Sequence, residues 1–536
     1  MILNSSQWGS FTEGNVTLYA AHSIPTSITP LDCHTPSAFA WVLYDKLNQT
    51  ITAARDYLGL EPFYYCYQNQ TFVFGSTLPD VLKSLPNFPD FNTTRLIEEC
   101  FHDGQTLMTR YSNETHYKGV FRLDPGSQLH IKNGTLHHEV YWSFDSGAPT
   151  LNYTHDNDYI DHFGELLNEI VLGQVQGHKN LVAEYSGGLD STAVVTVCHM
   201  NQIKLPLFCH VGAESDNGGD FSFAECVIKH FNMTDVHYIN ADNFEPALQF
   251  QKLAAIFAGV PPYIFSIMAN NVYQAIAGHT PGDKLILSGF GGDQCVSSHA
   301  SPKIFYTELL RQKQYRKAWQ ELLLSKSESS RIRNFLQLLS YRSPHLHDML
   351  IKMGNVKRTI KSYLEESSIK INAHKGLNKY VSLKEMNIEL LQGSLCHEVR
   401  MRVEYSAVLG KAMGFSFAYP LLHPKLIDFA LRLPPLQQRR NGEGRYLMRQ
   451  YLAQFVPEKN YKQDKKKGAH IMPAVMQKCK NYEKSEMSDD ALKQLPFYDK
   501  IEKATSAHSL LRQKIYASML NYWAIERGKR DYTLGG

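Results

Sequence analysis

The sequence lacks most of the features that mark a secreted, membrane-bound or nucleic-acid-binding protein. Its nine cysteines contain no Cys-x-x-Cys pair, and an odd, unpatterned set suits a reducing cytoplasm better than a disulfide framework. The 55 basic and 52 acidic residues leave a net charge of +3, which implies no polyanion partner. The N-terminus has neither a basic start nor an apolar core, and the longest apolar run, residues 253–269, is cut by Pro261 and Pro262. These absences predict a cytoplasmic protein without a membrane or nucleic-acid partner.

The 536 residues are enough for two or three domains, and the pattern of apolar residues changes near residue 157. Before that point, residues 37–75 read as short strands separated by polar turns, and a further pair of strands flanks a turn at Asn133 and Gly134. The sequence therefore predicts a β-rich domain over residues 1–155.

After residue 157, predicted helices alternate with predicted strands, beginning with the helical pattern of YIDHFGELLNEIVLGQV and the strand LVAEY. This alternation is typical of a doubly wound parallel sheet. From about residue 300 to the end, the sequence reads as mainly helical. The second predicted domain, residues 156–536, is therefore of the α/β class with a helical C-terminal part.

A glycine turn, SGGLDS at residues 186–191, follows the first strand of this second domain. Glycines after a parallel strand let the backbone approach a ligand, and the amino end of the next helix attracts an anion. Ser186 and Ser191 add hydroxyl donors, although SGG alone could equally be a tight turn with no ligand. Asp190 makes the stretch more specific, because a carboxylate beside a phosphate site is unfavourable unless a cation such as Mg²⁺ lies between them.

A second turn of the same kind, SGFGGDQ at residues 288–294, follows the predicted strand KLIL and also ends in an aspartate, Asp293. Ligands of open parallel sheets bind at the carboxyl ends of the strands, where both turns would lie. Two unrelated turns are the alternative. Two glycine turns with one carboxylate each fit a nucleotide whose phosphates are bridged by a metal. The Walker sequence GxxxxGK[ST] is absent, so the site is not of that type.

These two turns resemble those of the asparagine synthetase B superfamily. Further segments resemble it as well, namely ARDYLGLEPFYY and LDPGSQLHI near the start and MGFSFAYPLLHPKLIDFALRLP near the end. The resemblance implies an N-terminal glutaminase-like domain followed by an ATP-pyrophosphatase domain of the adenine nucleotide alpha hydrolase type. It implies that ATP and Mg²⁺ are bound, with phosphate and metal held by Ser186, Gly187, Gly188, Asp190 and Ser191, a second metal ligand at Asp293, and adenosine lined by Val211, Ser288 and Gly289.

The sequence departs from the superfamily at its start. Glutaminase domains of this type need an N-terminal cysteine, whereas position 2 is isoleucine and the first cysteine is Cys33. Because the strands of that domain begin by residue 37, its front half looks truncated. We therefore expect a reduced, inactive domain and an amine supplied by the acceptor itself instead of glutamine.

Phe290 is a second departure, because asparagine synthetases usually have glutamate at the middle of this turn and β-lactam synthetases have tyrosine. Phenylalanine cannot accept a proton, and we expect it to contact no cation strongly, so a general base must lie elsewhere. Glu404 is the candidate, because it loosely matches a glutamate of the β-lactam-forming relatives. The alternative is an exposed helix carboxylate paired with Arg400 or Arg402.

A basic stretch, DKKKGAH at residues 464–470, contains the remaining candidate. Lys466, with Lys467 next to it, resembles the lysine that stabilises the developing phosphate charge in those relatives. A basic loop that closes over ATP would add charge where charge develops. A cluster of surface lysines is the alternative.

The departures make the sequence most similar to lasso peptide cyclases, which are AMP-forming carbon–nitrogen ligases. This resemblance implies macrolactam closure between the N-terminal amine and an Asp or Glu side chain of a precursor core peptide, with a leader peptidase and a leader-recognition protein as candidate partners. One alternative is a β-lactam synthetase-like or asparagine synthetase-like ligase that acts on a small amino acid. Another is a non-catalytic homologue that binds a nucleotide or a protein.

Overall fold

The protein is described here from a computed structural model. The described residues are 2–4, 8–21, 38–96, 112–145, 147–211, 221–240, 243–261, 269–279, 281–294, 302–324, 397–463, 478–479, 481–482, 515, 518–520 and 522–523. Among them, no helix combines the length and apolarity that a membrane crossing requires.

The N-terminal domain consists of two sheets packed face to face. One has the strand order β1-β7-β6-β8 and the other β10-β9-β5-β4-β3-β2. The core between them contains aliphatic residues of the six-stranded sheet, such as Val42 and Ile51, against aromatic residues of the other, such as Phe72 and Phe74. The elements are β1 Ile2–Asn4, β2 Gly9–Glu13, β3 Val16–Ala20, β4 Ala40–Asp45, β5 Thr50–Arg55, β6 Tyr64–Gln68, β7 Thr71–Gly75, α1 Leu78–Ser84, β8 Phe121–Arg122, β9 Ser127–Lys132 and β10 Thr135–Val140.

The predicted strands of this domain are confirmed, including the hairpin of β9 and β10. Asn133 and Gly134 both have positive φ, as a two-residue hairpin turn requires. The expectation that the sheet starts near residue 37 is wrong, because β1, β2 and β3 precede that point. β1 pairs in parallel with β7, and β3 pairs with β4. Short strands of mixed polarity, such as GSFTE in β2, carry a weak pattern, which explains why the sequence did not indicate them.

The second domain is built on a five-stranded sheet with the order β13-β12-β11-β14-β15, in which all neighbours are parallel. The strands are β11 Leu181–Glu184, β12 Leu207–Val211, β13 Val236–Asn240, β14 Lys284–Leu287 and β15 Phe415–Ala418; a small ribbon of β16 Arg439–Arg440 and β17 Glu443–Gly444 follows. From β11 the chain moves outward to β13, and it then returns to the other side of β11 for β14. The strand order therefore reverses between β11 and β14, which is where doubly wound sheets bind ligands.

Helices cover both faces of this sheet, as predicted. Alternate strand residues point to opposite cores: Ala183 packs into one, and its neighbour Val182 packs into the other. The helices are α2 Asp156–Val175, α3 Leu189–Met200, α4 Phe221–His230, α5 Pro246–Ile256, α6 Asn270–His279, α7 Pro302–Arg311, α8 Tyr315–Leu324, α9 His397–Met413, α10 Pro424–Leu431, α11 Pro435–Gln438, α12 Tyr446–Leu452 and α13 Glu458–Tyr461, with a 3₁₀ turn at Pro420–Leu422.

The C-terminal part is less purely helical than the sequence predicts. β15 completes the parallel sheet beside β14, and β16 and β17 form a short ribbon. The four residues of β15 precede an apolar helical stretch, and pairing with β14, not local pattern, makes them a strand. The predicted helix that follows residue 157 is confirmed as α2.

Candidate active site

The two glycine turns lie against each other at the carboxyl edge of the sheet. A β-carbon on Gly289 would lie under 3.0 Å from the backbone of Ser191, and one on Gly292 would lie equally close to the carboxylate of Asp190. Such distances are essentially never seen, so only glycine allows the second turn to pack on the first. Gly187 is restricted in the same way by Ala224 and has φ of +72°. The structure thus brings together the two turns that the sequence singled out.

Hydroxyl groups and the helix end define the first turn. The Oγ atoms of Ser186 and Ser191 are 3.2 Å apart, and Ser191 Oγ donates to the carbonyl oxygen of Gly188 at 3.2 Å. Gly188 is the N-cap of α3 and provides no side-chain cap. The amino end of α3 therefore offers N–H groups and a partial positive charge to an anion at the switch point of the sheet.

Asp190 and Asp293 converge on one positive charge, the guanidinium of Arg445. Arg445 Nη2 lies 3.1 Å from Asp190 Oδ2 and also contacts Asp293 Oδ1. Among the described residues, no donor reaches the buried Oδ1 of Asp190. Two carboxylates that share a cation, one with an unsatisfied oxygen, are oxygen donors of the kind that Mg²⁺ prefers. The residues present therefore fit the predicted metal.

Arg445 was not predicted from the sequence. It adopts the left-handed conformation, with φ of +63°, immediately before α12. Four arginines lie between residues 439 and 449, and no local pattern distinguishes the one that reaches the glycine turns. Its position follows from the packing of α12 on α2 and α3.

Two amide side chains fix the first turn from the C-terminal side. Asn460 Nδ2 donates to the carbonyl oxygen of Gly187 at 2.9 Å, and Gln463 Nε2 donates to the same oxygen at 3.2 Å. Both side chains are buried. Neither residue belongs to a recognisable motif, so the sequence alone does not predict them. Lys466 and Lys467, three and four residues further on, lie outside the described residues.

The predicted adenosine-lining residues lie at the same edge of the sheet. Val211 ends β12, the neighbour of β11, and Gly289 follows β14. Ser288 is fully buried, and its hydroxyl donates to the carboxylate of Glu184 at the end of β11. The side chain of Ser288 is thus engaged within the protein, and its contact with adenosine stays a prediction.

Glu184, which is half-buried, is the centre of a polar cluster beside the second turn. It accepts a hydrogen bond from Tyr273 Oη at 2.9 Å, and Arg402 Nη2 lies 3.3 Å from both of its oxygens. Burial of Tyr273 raises its pKa well above the ordinary value. The tyrosine therefore stays neutral and acts as a donor, which leaves Arg402 and Glu184 as the charged pair.

Phe290 does contact a cation, contrary to the expectation from the sequence. The guanidinium carbon of Arg402 lies 5.7 Å from the centre of the Phe290 ring, within the range of a cation–π interaction. The Phe290 ring also meets the edge of Tyr419, with centroids 6.1 Å apart. The face of the ring presents its negative potential to the guanidinium of Arg402. That phenylalanine cannot accept a proton remains correct.

Glu404, the predicted general base, is not an exposed carboxylate paired with an arginine of its own helix. It is buried and accepts hydrogen bonds from Tyr64 Oη at 2.5 Å and from Arg122 Nε at 2.7 Å. Arg55 Nη2 lies 3.9 Å away. Burial alone would raise its pKa, but the charges of Arg122 and Arg55 outweigh burial and hold the pKa of Glu404 below its ordinary range.

Helix geometry explains where Glu404 points. Arg402 and Glu404 are two residues apart on α9, so they lie on nearly opposite faces of the helix. Arg402 faces Glu184 in the sheet, whereas the partners of Glu404 all belong to the N-terminal domain. These contacts favour a role for Glu404 in joining the two domains. Its role as a base stays a prediction.

Comparison with known proteins agrees with this architecture. Residues 162–525 match the family described as asparagine synthase, and residues 31–142 match the glutamine amidotransferase domain. A protein of Methanocaldococcus jannaschii named putative asparagine synthetase (glutamine-hydrolyzing) 1 is 25% identical over 284 residues, which cover 50% of this chain and 46% of the relative. The asparagine synthetase (glutamine-hydrolyzing) 3 of Bacillus subtilis is 27% identical over 168 residues, or 31% of this chain and 26% of the relative.

A fungal protein is also similar to this chain. The amidase chyE of Penicillium rubens is 23% identical over 310 residues, which cover 55% of this chain and 44% of the relative. The chain therefore spans half or less of the length of these relatives.

Proposed function

Because this chain belongs to the asparagine synthase family, we propose that it uses ATP to activate a carboxylate and then joins the activated carboxylate to an amine. In this reaction a carboxylate oxygen attacks the α-phosphorus of ATP, pyrophosphate leaves, and an acyl-adenylate forms. The amine nitrogen then attacks the acyl carbon, and AMP leaves. The protein would thus be an AMP-forming, ATP-dependent carbon–nitrogen ligase.

The observation that carries this proposal is the convergence of Asp190 and Asp293 on one cation where the strand order reverses. Two unrelated turns would have no reason to pack so closely that both must be glycine-rich. A nucleotide triphosphate with its divalent cation needs carboxylate oxygens, backbone N–H groups and hydroxyls together. The two turns supply all three.

The residues of the site divide these tasks among them. Asp190 and Asp293 would hold Mg²⁺, which when bound neutralises phosphate charge and favours departure of pyrophosphate. Ser186, Ser191 and the amino end of α3 would hold the phosphates. Once a metal occupies the carboxylates, Arg445 would place its positive charge against the phosphate oxygens.

We propose further that the carboxylate is an Asp or Glu side chain of a precursor peptide, and that the peptide's own N-terminal amine closes a macrolactam ring. The support is the aromatic cluster beside the second turn, in which the half-buried Phe290 meets the edge of the buried Tyr419 and Tyr419 stacks on Phe417. A small, charged amino acid requires several polar partners, whereas an aromatic cluster suits the apolar side chains of a peptide. A leader peptidase and a leader-recognition protein would then act with it.

A ligase that acts on a small amino acid is the second candidate. It is favoured by the relatives named asparagine synthetase and by the match of residues 31–142 to the glutamine amidotransferase domain. Under this alternative, Arg402 and Glu184 would orient the charged groups of the substrate. Under this alternative the amine comes either from the hydrolysis of glutamine or directly from an acceptor molecule.

The exchange of labelled pyrophosphate into ATP tests both candidates in one assay. We expect exchange with Mg²⁺ and a peptide that contains an internal Asp or Glu, and none with free aspartate or glutamate, with or without glutamine. Exchange that requires a small amino acid would reject the peptide and support the second candidate. No exchange with either substrate, together with no binding of ATP, would reject ligase activity and favour a non-catalytic homologue.

Site variants make this test specific. Asp190→Ala and Asp293→Ala should both abolish exchange, because each removes a metal ligand. The control is Asp90→Asn, which changes an exposed aspartate paired with Lys118 in the N-terminal domain and should leave exchange unchanged. Retained exchange in either site variant would show that the metal site has been assigned to the wrong residues.

A further inference from the structure

A second cluster of potential metal ligands lies at the amino end of β13, an outer strand of the five-stranded sheet. It comprises Asp235, His237 and His279, and the ligand atoms of all three lie within 4.8 Å of one another. Asp235 immediately precedes β13, His237 is the second residue of that strand, and His279 ends α6. The glycine turns follow the carboxyl ends of β11 and β14. Because the strands are parallel, the amino end of β13 lies on the opposite side of the sheet, and the cluster is separate from the nucleotide site.

Both histidines of the cluster pack on one buried aromatic ring. Phe208 on β12 pairs in register with His237, and the two rings stack with centroids 4.6 Å apart. The ring of His279 meets Phe208 at an edge, with centroids 5.3 Å apart, and lies 4.5 Å from the His237 ring. Phe208 is 2% exposed and belongs to the sheet core. Both imidazoles therefore rest on a rigid surface.

The carboxylate is also positioned by the backbone. Asp235 Oδ1 lies 2.9 Å from His237 Nε2, and the Asp235 carbonyl accepts a hydrogen bond from the Leu207 N–H at 3.0 Å. Ligands that a tetrahedral ion holds at about 2.1 Å stand roughly 3.4 Å apart. A separation of up to 4.8 Å therefore closes with small rotations of side chains, of which Asp235 is exposed and the two histidines are half-buried.

We propose that Asp235, His237 and His279 bind a divalent transition-metal ion of the Zn²⁺ type. Ions of this type bind well to two imidazole nitrogens and one carboxylate, whereas Mg²⁺ favours oxygen ligands alone. Solvent completes the coordination, because all three side chains are partly accessible. The ion joins the end of α6 to the edge strand β13 and thereby stabilises that edge of the sheet.

The hydrogen bond between His237 and Asp235 alone is the competing explanation of the cluster. In that case His279 is a neighbour that contributes no ligand, and no ion binds. The two explanations differ in what the removal of His279 does. A metal site loses a ligand, whereas a simple His–Asp pair keeps both of its members.

Calorimetric titration of the full chain with Zn²⁺ tests the proposal, at neutral pH, without a histidine tag and in excess Mg²⁺ so that the carboxylates of the nucleotide site are occupied. We expect one Zn²⁺ per chain and a rise in thermal midpoint on binding. His279→Ala and Asp235→Asn should each weaken Zn²⁺ affinity by at least about tenfold, since even the loss of a residue that only orients a ligand costs 10–100-fold. The control His199→Ala, at an exposed histidine of α3 that stacks on Phe231, should leave affinity unchanged.

Two results would overturn the proposal. One is Zn²⁺ affinity that is the same in wild type, His279→Ala and Asp235→Asn, which would place the ion elsewhere. The other is the absence of a saturable binding event in wild type. Pyrophosphate exchange by the His279→Ala variant should match that of wild type, so failure of this inference is distinguishable from failure of the proposed function.

Discussion

Removal of the Glu404 carboxylate should weaken the contact between the two domains and lower the free energy of unfolding. Glu404 is buried, and the side chain of its partner Arg122 is 6% exposed. Glu404→Ala leaves the Arg122 charge in the domain interface without this carboxylate and also removes the hydrogen bond from Tyr64. The loss of one member of a buried ion pair costs about 3–5 kcal/mol. Arg55 should add little to this cost, because its guanidinium also donates to three backbone carbonyls.

Chemical unfolding followed by tryptophan fluorescence measures this effect, and pyrophosphate exchange measured on the folded fraction separates it from catalysis. The matched control is Glu169→Ala, at an exposed glutamate paired with Lys425, which should cost at most about 1 kcal/mol. The double variant Glu404→Leu with Arg122→Met should recover much of the lost stability, since apolar residues of similar volume replace a buried pair well. Unchanged stability of Glu404→Ala, combined with retained exchange and lost amide formation, would refute this reasoning and support the predicted general base, because a base for the amine acts after adenylation.

Three further predictions concern the two glycine turns and a buried carboxyl group of the N-terminal domain. Gly292→Ala should reduce pyrophosphate exchange by about 10²-fold, because its β-carbon would displace Asp190, whereas Gly278→Ala, with no atom within 4 Å of its β-carbon, should have no effect on exchange. Asn460→Ala should weaken ATP binding, measured by calorimetry, and lower the free energy of unfolding by about 0.5–1.5 kcal/mol, since it removes one of the two amide donors to the carbonyl oxygen of Gly187. Burial raises the pKa of Asp56 to about 6, so its contribution to stability should be largest below its ordinary pKa and should decline by about 3 kcal/mol as pH rises to about 6. The free energy of unfolding of wild type, relative to that of Asp56→Asn, should fall by this amount across the pH range. Parallel pH dependences of the two proteins would contradict the prediction.

The parts of the site that could be predicted are those encoded by local geometry. The SGGLDS and SGFGGD turns stand out because glycines and an aspartate at the end of a strand have few uses other than close approach to an anion and its metal. The parallel sheet was predictable for the same reason, since apolar strands such as KLIL alternate with helical patterns. A one-dimensional pattern contains this information.

The parts that could not be predicted depend on residues distant in sequence. Arg445 and Asn460 lie more than 250 residues from the first turn and reach it through the packing of α12 and α13. The setting of Glu404 depends on Arg55 and Arg122 in the other domain, so its helix pattern could not reveal a buried pair. The contact of Arg402 with Phe290 likewise arises from the position of α9 over the sheet.

The transfer of heavy oxygen from a labelled carboxylate substrate to AMP tests the central claim most directly. If the protein activates a carboxylate as its acyl-adenylate, one labelled oxygen should appear in AMP for each amide formed, because that oxygen attacked the α-phosphorus. Asp293→Ala should abolish the transfer. Label found in inorganic phosphate together with ADP, or amide formed without label in AMP, would contradict the account.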